Sequence, residues 1–338
     1  MERRARIADV AAAAGVSTAT VSRALSEPGR VGEATRARVL AAVRATGYRV
    51  HGAARDLRAR RARNVLVLAP DLANTFFSRI IAAVEEEAGG AGLSVQVADT
   101  RAPAARLGAI GRDGRADGVI LLDGGLDAAQ VAAWGVPVVM ACEWIPGAAL
   151  PGITVDNAAG MALAVAHLAG LGHRRIAFVG GPEGNVLSSA RAAGFRSAMA
   201  AHGLPLRGAD LLPGAFTMAS GAAAAALWAG TPDRATAVLC ASDECALGFM
   251  SGCHAAGLAV PADASVAGFD DVEIAAFCIP PLTTIRQPRA EIGRRAARML
   301  LDALGCGACG GDPPAAIRLA PSLVVRASTA APPHQEEG

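Results

Sequence analysis

The sequence predicts an α/β protein of two doubly wound parallel-sheet lobes, preceded by an all-α helix-turn-helix headpiece. Three observations carry that reading. From Asn64 onward, short apolar runs alternate with segments of helical period, and the series begins twice, at Val65 and again at Ile176. Before it stand three short amphipathic stretches, interrupted at Gly15 and at Pro28-Gly29. Charge divides at the same place. Residues 1–64 hold 14 arginines against five acids, a net of +9, while the rest of the 338-residue chain holds 18 arginines against 25 acids, a net of −7. The total of +2 conceals a basic head on an acidic body. A head of that kind points to nucleic acid or another polyanion as its partner.

Bulk composition removes several classes. At 52% hydrophobic and 18% charged, the chain has ample material for a large core, which excludes disorder and collagen-like repeats. No apolar run approaches ~18 residues, so no transmembrane span or membrane partner is expected. Seven cysteines are scattered through expected strands and helices, and no apolar signal segment follows the Arg-rich N-terminus. Reduced thiols and a cytoplasmic location are the expectation. Cys306 and Cys309 form a CxxC in a Gly-rich stretch, but no second Cys/His pair lies nearby, so neither a metal nor a cofactor is expected.

Within the headpiece, residues 1–50, Ile7, Val10, Ala11 and Ala14 make one apolar helical face, and Gly15 stops that helix. Ser17 is placed to cap a second helix from Thr18 to about Ser26, with Val21 and Leu25 inward. A third runs from about Glu33 to Thr46 with Val39, Leu40 and Val43 inward, and Gly47 ends it. Residues 51–63 read as a hinge helix or a disordered linker. The core is expected over 64–329, with strands near 65–69, 95–98, 119–122, 136–141, 176–179, 237–241 and 265–269. Helices are expected near 76–88, 157–170, 188–202, 219–229 and 243–256, then a returning helix over 285–304 and a last strand at 323–326. The stretch 101–115 should be helical by rhythm but is a poor helix by propensity. Lobe one is read as about 64–160 plus 290–329 and lobe two as about 161–289, with a Pro- and Glu-rich disordered tail over 330–338. A ligand cleft is expected near the carboxyl ends of the strands, between the lobes.

The run Gly15-Val16-Ser17-Thr18-Ala19-Thr20-Val21-Ser22-Arg23 has helix-turn-helix spacing, with short hydroxyl residues opening the second helix. It resembles the lactose/purine repressor (LacI) family of bacterial transcription regulators. The agreement continues through Pro28-Gly29-Arg30-Val31, Thr35-Arg36, Val39, Gly47-Tyr48 and Leu57. That resemblance implies that Thr18, Ala19 and Arg23 face base edges in the major groove, while Ser17, Thr20 and Ser22 donate to phosphates. It also implies a hinge helix carrying Ala53 and Leu57, with Leu57 wedged into the minor groove at the operator centre. Val50 departs from the proline that many members carry at the start of that helix.

The body resembles the family's effector domain, which is similar to periplasmic sugar-binding proteins. Its landmarks are Asn74-Thr75-Phe76-Phe77, Asp117-Gly118-Val119, Val155-Asp156-Asn157, Gly172-His173-Arg174-Arg175-Ile176, Ser242-Asp243, Gly268-Phe269-Asp270 and Pro281-Leu282-Thr283-Thr284-Ile285. Phe76, Phe77, Arg191, Phe216, Ser242 and Asp270 fall where relatives hold their effector. Aromatics suit a base or sugar face, and Arg191 with Asp270 suit ring hydroxyls. Cys142 stands where relatives often carry a polar residue. The runs Val139-Met140-Ala141-Cys142-Glu143 and Phe277-Cys278-Ile279-Pro280-Pro281 resemble the cytidine repressor branch, so a nucleoside effector is the first expectation, a sugar or sugar acid the second.

The resemblance implies a regulator, most readily a repressor, whose affinity for double-stranded operator DNA is set by the effector, with the sign open. A palindromic operator calls for a homodimer, and the lack of a long C-terminal heptad segment favours a dimer over a tetramer. An enzyme is disfavoured. Gly180-Gly181-Pro182-Glu183-Gly184 lacks the Lys-Ser/Thr of a phosphate loop, and His167 and His173 are spaced wrongly for one zinc-binding helical face. A secreted solute-binding protein would have no use for the basic head.

Overall fold

The computed structural model describes residues 5–26, 28–48, 62–102, 107–110, 114–306 and 316–332, and forms two compact units, Met1–Arg60 and Arg61–Gly338. In the first unit, α1 (Ile7–Ala14), α2 (Thr18–Ser26) and α3 (Glu33–Thr46) pack through Val10, Val21 and Val39, all fully buried, with alanines between them. The sharp turn after α1 needs a left-handed residue, and Gly15 supplies it at φ 62°. The Val16 N–H then donates to the Ala11 carbonyl at 3.1 Å, which closes the helix end and aims α2.

The second unit holds two six-stranded sheets. Sheet one runs β11-β5-β4-β3-β1-β2 and sheet two runs β12-β10-β9-β8-β6-β7. The strands of sheet one are β1 (Asn64–Ala69), β2 (Ser94–Asp99), β3 (Gly118–Leu121), β4 (Val138–Ala141), β5 (Gly152–Val155) and β11 (Ala316–Leu319). Those of sheet two are β6 (Ile176–Val179), β7 (Leu211–Leu212), β8 (Ala237–Cys240), β9 (Ser265–Asp270), β10 (Thr283–Arg286) and β12 (Ser322–Val324). Every pairing is parallel except β12 against β10.

Parallel strands covered on both faces need apolar residues in both registers. Leu239 faces a core with Phe178, Phe195 and Phe269, while Val238 and Cys240 face one with Trp228 and Phe249. Helices α6 (Asn157–Gly170) and α7 (Val186–Ala201) cover the first of these faces. Helices α8 (Met218–Ala229) and α9 (Asp243–Ala255) cover the second. In sheet one, α4 (Ser78–Gly90) packs with α10 (Arg289–Ala303) on one face, and α5 (Ala128–Ala132) contributes Val131 to the other. No helix among the described residues is long and apolar enough to cross a membrane.

Several expectations need correction. Residues 285–286 are strand, because the β-branched run Thr283-Thr284-Ile285 pairs with β9; the helix starts only after Pro288, whose ring favours a first-turn position. Helix α6 starts at Asn157 and packs on sheet two, so lobe two begins four residues earlier than read. The segment 290–329 is also shared: β11 pairs with β5 in sheet one, but β12 returns to sheet two. The tail is not free at its start. The Ala330 N–H donates to Ser265 Oγ at 2.9 Å, and its carbonyl lies 2.9 Å from Nε2 of the fully buried His173. His167 is half-buried rather than a surface residue, with Nε2 3.0 Å from Thr329 Oγ1. Residues 103–106 and 111–113 of the expected poor helix, the hinge positions Ala53 and Leu57, and Cys309 lie outside the described residues.

Helices α8 and α9 cross with backbone against backbone. A Cβ on Gly221 would run into the Cys245 carbonyl, and one on Gly248 into the Met218 carbonyl. Neither obstacle is a flexible side chain. Gly248→Ala is therefore expected to lower stability by about 1–3 kcal/mol, read as a fall in the urea midpoint; an unchanged midpoint would show that the helices can separate freely.

Candidate functional site

Two surfaces carry the residues singled out from the sequence. In the head, Ser17 Oγ accepts from the Thr20 N–H at 3.1 Å and lies 2.9 Å from Thr20 Oγ1, so Ser17 caps α2 as expected. Thr18, Ala19 and Arg23 are exposed, and Thr20 and Ser22 are half-buried. Ala19 and Arg23 are one turn apart and share a face, while Val21 on the other side locks into the core. The arrangement leaves the positive N-terminal end of α2 open for an anion.

In the body, Phe76, Phe77, Arg191, Phe216, Ser242 and Asp270 all line one cavity of about 280 Å³ between the two sheets. Phe76 and Phe77 end a 3-10 turn after β1, which Asn74 caps by accepting from the Phe76 N–H at 2.9 Å. Their rings meet edge-on, 5.2 Å apart. Arg191 comes from α7, and Ser242 and Asp270 sit at the carboxyl ends of β8 and β9. Ser242 also caps α9 by accepting from the Cys245 N–H at 3.2 Å.

The Arg191 guanidinium, 3% exposed, is held from several sides. Nε donates to Asn157 Oδ1 at 2.9 Å and Nη1 to the Ala241 carbonyl at 2.5 Å, with Asp270 Oδ1 3.6 Å away. Its flat face lies over Phe269 at 4.0 Å and Phe216 at 5.5 Å. Asp270 Oδ1 also accepts from Gln287 Nε2 at 2.6 Å. Burial lowers the Arg191 pKa, opposed by the Asp270 charge. Burial pushes Asp270 up to about 6 against the pull of Arg191. Behind it, burial and the neighbouring Asp270 charge push Asp243 up to about 8. Asp243 accepts from Thr284 Oγ1 at 2.5 Å and from the Val272 N–H at 2.8 Å.

The cleft contains residues that the sequence reading did not single out as ligands. Glu143 reaches in from the end of β4. Its Oε2 accepts from the Gly124 N–H at 2.7 Å and its Oε1 from Asn185 Nδ2 at 2.9 Å. Asn185 in turn caps α7, which carries Arg191. The departure at the preceding residue, Cys142, was the available signal. Cys142 also lines the cleft, and burial raises its thiol pKa far above the ordinary value. Arg289 bridges the lobes, donating to the Phe76 carbonyl at 3.3 Å and the Asp271 carbonyl at 2.6 Å. Cys306 is exposed, and no cluster of His, Cys, Asp and Glu among the described residues could hold a metal.

The buried acid pair makes stability pH-dependent. Folded-state pKa values above the ordinary aspartate value of 3.8 mean that the folded protein holds more protons between about pH 4 and pH 8. The pair's contribution is therefore complete at low pH and is lost as pH rises through that window. Asp243→Asn should shrink the fall in stability between pH 5 and pH 8 by about 1 kcal/mol or more, measured as urea midpoints; an unaltered fall would place the pH dependence elsewhere.

Comparison with known proteins gives this geometry its context. Residues 6–50 match the model of bacterial regulatory proteins of the lacI family, and residues 165–329 that of the periplasmic binding protein-like domain. The HTH-type transcriptional repressor CytR of Escherichia coli (strain K12) is 39% identical over 308 residues, which cover 89% of this chain and 90% of that protein. The HTH-type transcriptional regulator MalR of Streptomyces coelicolor is 36% identical over 347 residues, 97% of each chain. The crystal structure of the lac repressor dimer bound to operator and the anti-inducer ONPF is similar at a TM-score of 0.84 and 29% identity, over 97% of this chain and 100% of that one. The likeness to these relatives extends over the helix-turn-helix unit and the two-lobed α/β body together, and the chain belongs to the lacI family of DNA-binding bacterial transcription regulators.

Proposed function

We propose that the chain is a cytoplasmic repressor that binds a palindromic operator as a homodimer and is controlled by a nucleoside held between its lobes. The observation that carries the effector reading is the meeting of six residues, from distant parts of the chain, around one cavity. Two aromatic edges, a buried guanidinium and a carboxylate suit a planar base joined to a hydroxylated ring. A sugar or sugar-acid effector is the second reading, favoured by the same Arg191–Asp270 pair and by the likeness to a solved complex of the transcriptional regulator CelR with cellobiose.

For DNA, the exposed Thr18, Ala19 and Arg23 supply base contacts, and Ser17, Thr20 and Ser22 supply phosphate contacts. Ala53 and Leu57 complete the reading as hinge residues in the minor groove. The body offers a surface for the second copy. Ile279 is 96% exposed and Phe277 74% exposed, large apolar side chains that a lone monomer would leave in water. Effector binding then acts by linkage, changing the relation of the lobes and with it operator affinity.

Full-length protein titrated against DNA from upstream of its own gene should show sequence-selective binding that weakens with salt. Arg23→Ala should reduce specific affinity roughly tenfold or more; equal affinity for unrelated DNA would sink the operator reading. Ile279→Asp should shift the sedimentation coefficient toward the monomer and weaken operator binding, and a variant that stays dimeric would place the interface elsewhere.

A further inference from the structure

The effector cleft has an unusual wall beside β4. The Glu143 N–H donates to the Ala141 carbonyl at 2.9 Å across Cys142, whose φ is 71°. This is a three-residue turn in a conformation that a side chain rarely adopts, and such strain persists where the surroundings enforce it. The Cys142 N–H is fixed to the Ile153 carbonyl at 2.8 Å, so the turn is anchored in sheet one. Its product is a carboxylate, 6% exposed, turned into the cleft. Gly124 lets it approach: a Cβ there would meet the Trp144 carbonyl and come within 3.2 Å of Glu143 Oε2. The bonds from Gly124 and Asn185 use one acceptor site on each oxygen, and a carboxylate oxygen has two.

Charge around the cleft points the same way. Three carboxylates line it, those of Asp71, Glu143 and Asp270, against the guanidinium groups of Arg101 and Arg191. Both guanidinium groups already face carboxylates. Arg101 lies 3.1 Å from Asp71 and 2.7 Å from Asp99, and Arg191 lies 3.6 Å from Asp270 while also bonding a carbonyl. An entering anion would meet like charge at the buried Glu143 and Asp270, where repulsion is screened less than in open water. A neutral ligand with an amino or hydroxyl group would instead find an acceptor waiting.

We infer that Glu143 is a specificity-determining residue of the cleft: it accepts a hydrogen bond from an uncharged, donor-bearing effector and excludes phosphorylated or carboxylated ones. The inference rests on the reading of this cleft as the effector site. It narrows that reading to neutral nucleosides or sugars and sets sugar acids aside.

Calorimetric titration of full-length protein with two matched pairs tests it: cytidine against cytidine 5′-monophosphate, and ribose against ribose 5-phosphate. In the wild type, the neutral member of at least one pair binds, and its phosphorylated partner binds at least tenfold more weakly. Glu143→Gln, a neutral side chain of the same shape, should weaken the neutral ligand roughly tenfold or more and narrow the ratio within the pair. Asn185→Ser keeps a helix cap but cannot brace Glu143, and it should leave that ratio wide. If Glu143 were merely a brace, the two variants would change the ratio alike. Phosphorylated ligands that bind as well as neutral ones, or a ratio untouched by Glu143→Gln, would overturn the inference and leave the effector cleft standing. Failure of all four compounds to bind would instead overturn the nucleoside-or-sugar reading, and this one with it.

Discussion

A guanidinium buried in the body fixes much else about it. Arg191 cannot shed its charge, so the fold must surround it with acceptors. Those come from three places around the α7 that carries it: Asn157 at the start of α6, Ala241 after β8, and Asp270 at the end of β9. The carboxyl ends of sheet two are thereby gathered around one cation. The rings of Phe269 and Phe216 close its faces. Removing one partner would leave an uncompensated buried charge, a loss of several kcal/mol in comparable sites. The cleft's polarity is thus a consequence of how lobe two is held together as well as of what it binds.

Four of the six positive-φ residues other than glycine, among the described residues, lie in or beside the cleft. Asp270 has φ 130°, Asp271 φ 53°, Phe216 φ 56° and Cys142 φ 71°, and three of these line the cleft. Such conformations persist where the surrounding contacts enforce them. The two sheets are joined by three short passages, from β5 to α6, from β10 to α10 and from β11 to β12. Beyond them, polar contacts among the described residues cross between the lobes, namely Glu143 with Asn185, the Thr75 N–H with Glu244 at 3.2 Å, Arg79 with Glu273 at 3.8 Å, and Arg289 between Phe76 and Asp271, beside a hydrophobic cluster that includes residues of both lobes. Polar ties over short connections can exchange partners at small net free energy, which is what a two-state effector switch requires.

The sequence made the buried strands legible because a parallel strand covered on both faces is apolar throughout, as β3, β4, β6 and β8 are, and as β1 is from Val65 onward. It hid β10, whose Thr283 and Thr284 are fully buried yet polar; their hydroxyls are satisfied by Arg326, Thr329 and Asp243, residues far away in the chain. It hid the last strand's sheet for the same reason, since Ala327, Ser328 and Ala330 are tied to Pro281, Val266 and Ser265 by bonds no local pattern announces. The six cleft residues came from resemblance rather than periodicity. Glu143 escaped because its direction depends on a left-handed residue at Cys142, where no glycine marks the turn. Asp243 read as a landmark beside Ser242, and only its burial against Asp270 gives it weight.

The division of charge first seen in composition now has a consequence at two scales. A body of net −7 repels a polyanion over roughly a Debye length, ~8–10 Å at physiological salt. On the proposed reading, phosphate contact is thereby left to the head, where exposed Arg23 and the start of α2 would offer short, directional contacts. Inside the cleft, salt screens little, and the same excess of carboxylate acts on a single ligand. Long-range repulsion alone would be erased at high ionic strength, whereas exclusion by a buried carboxylate would persist. On the proposed reading, the acidic body and Glu143 would therefore discriminate by the same sign of charge but with different sensitivity to salt, one for the polymer and one for the small molecule.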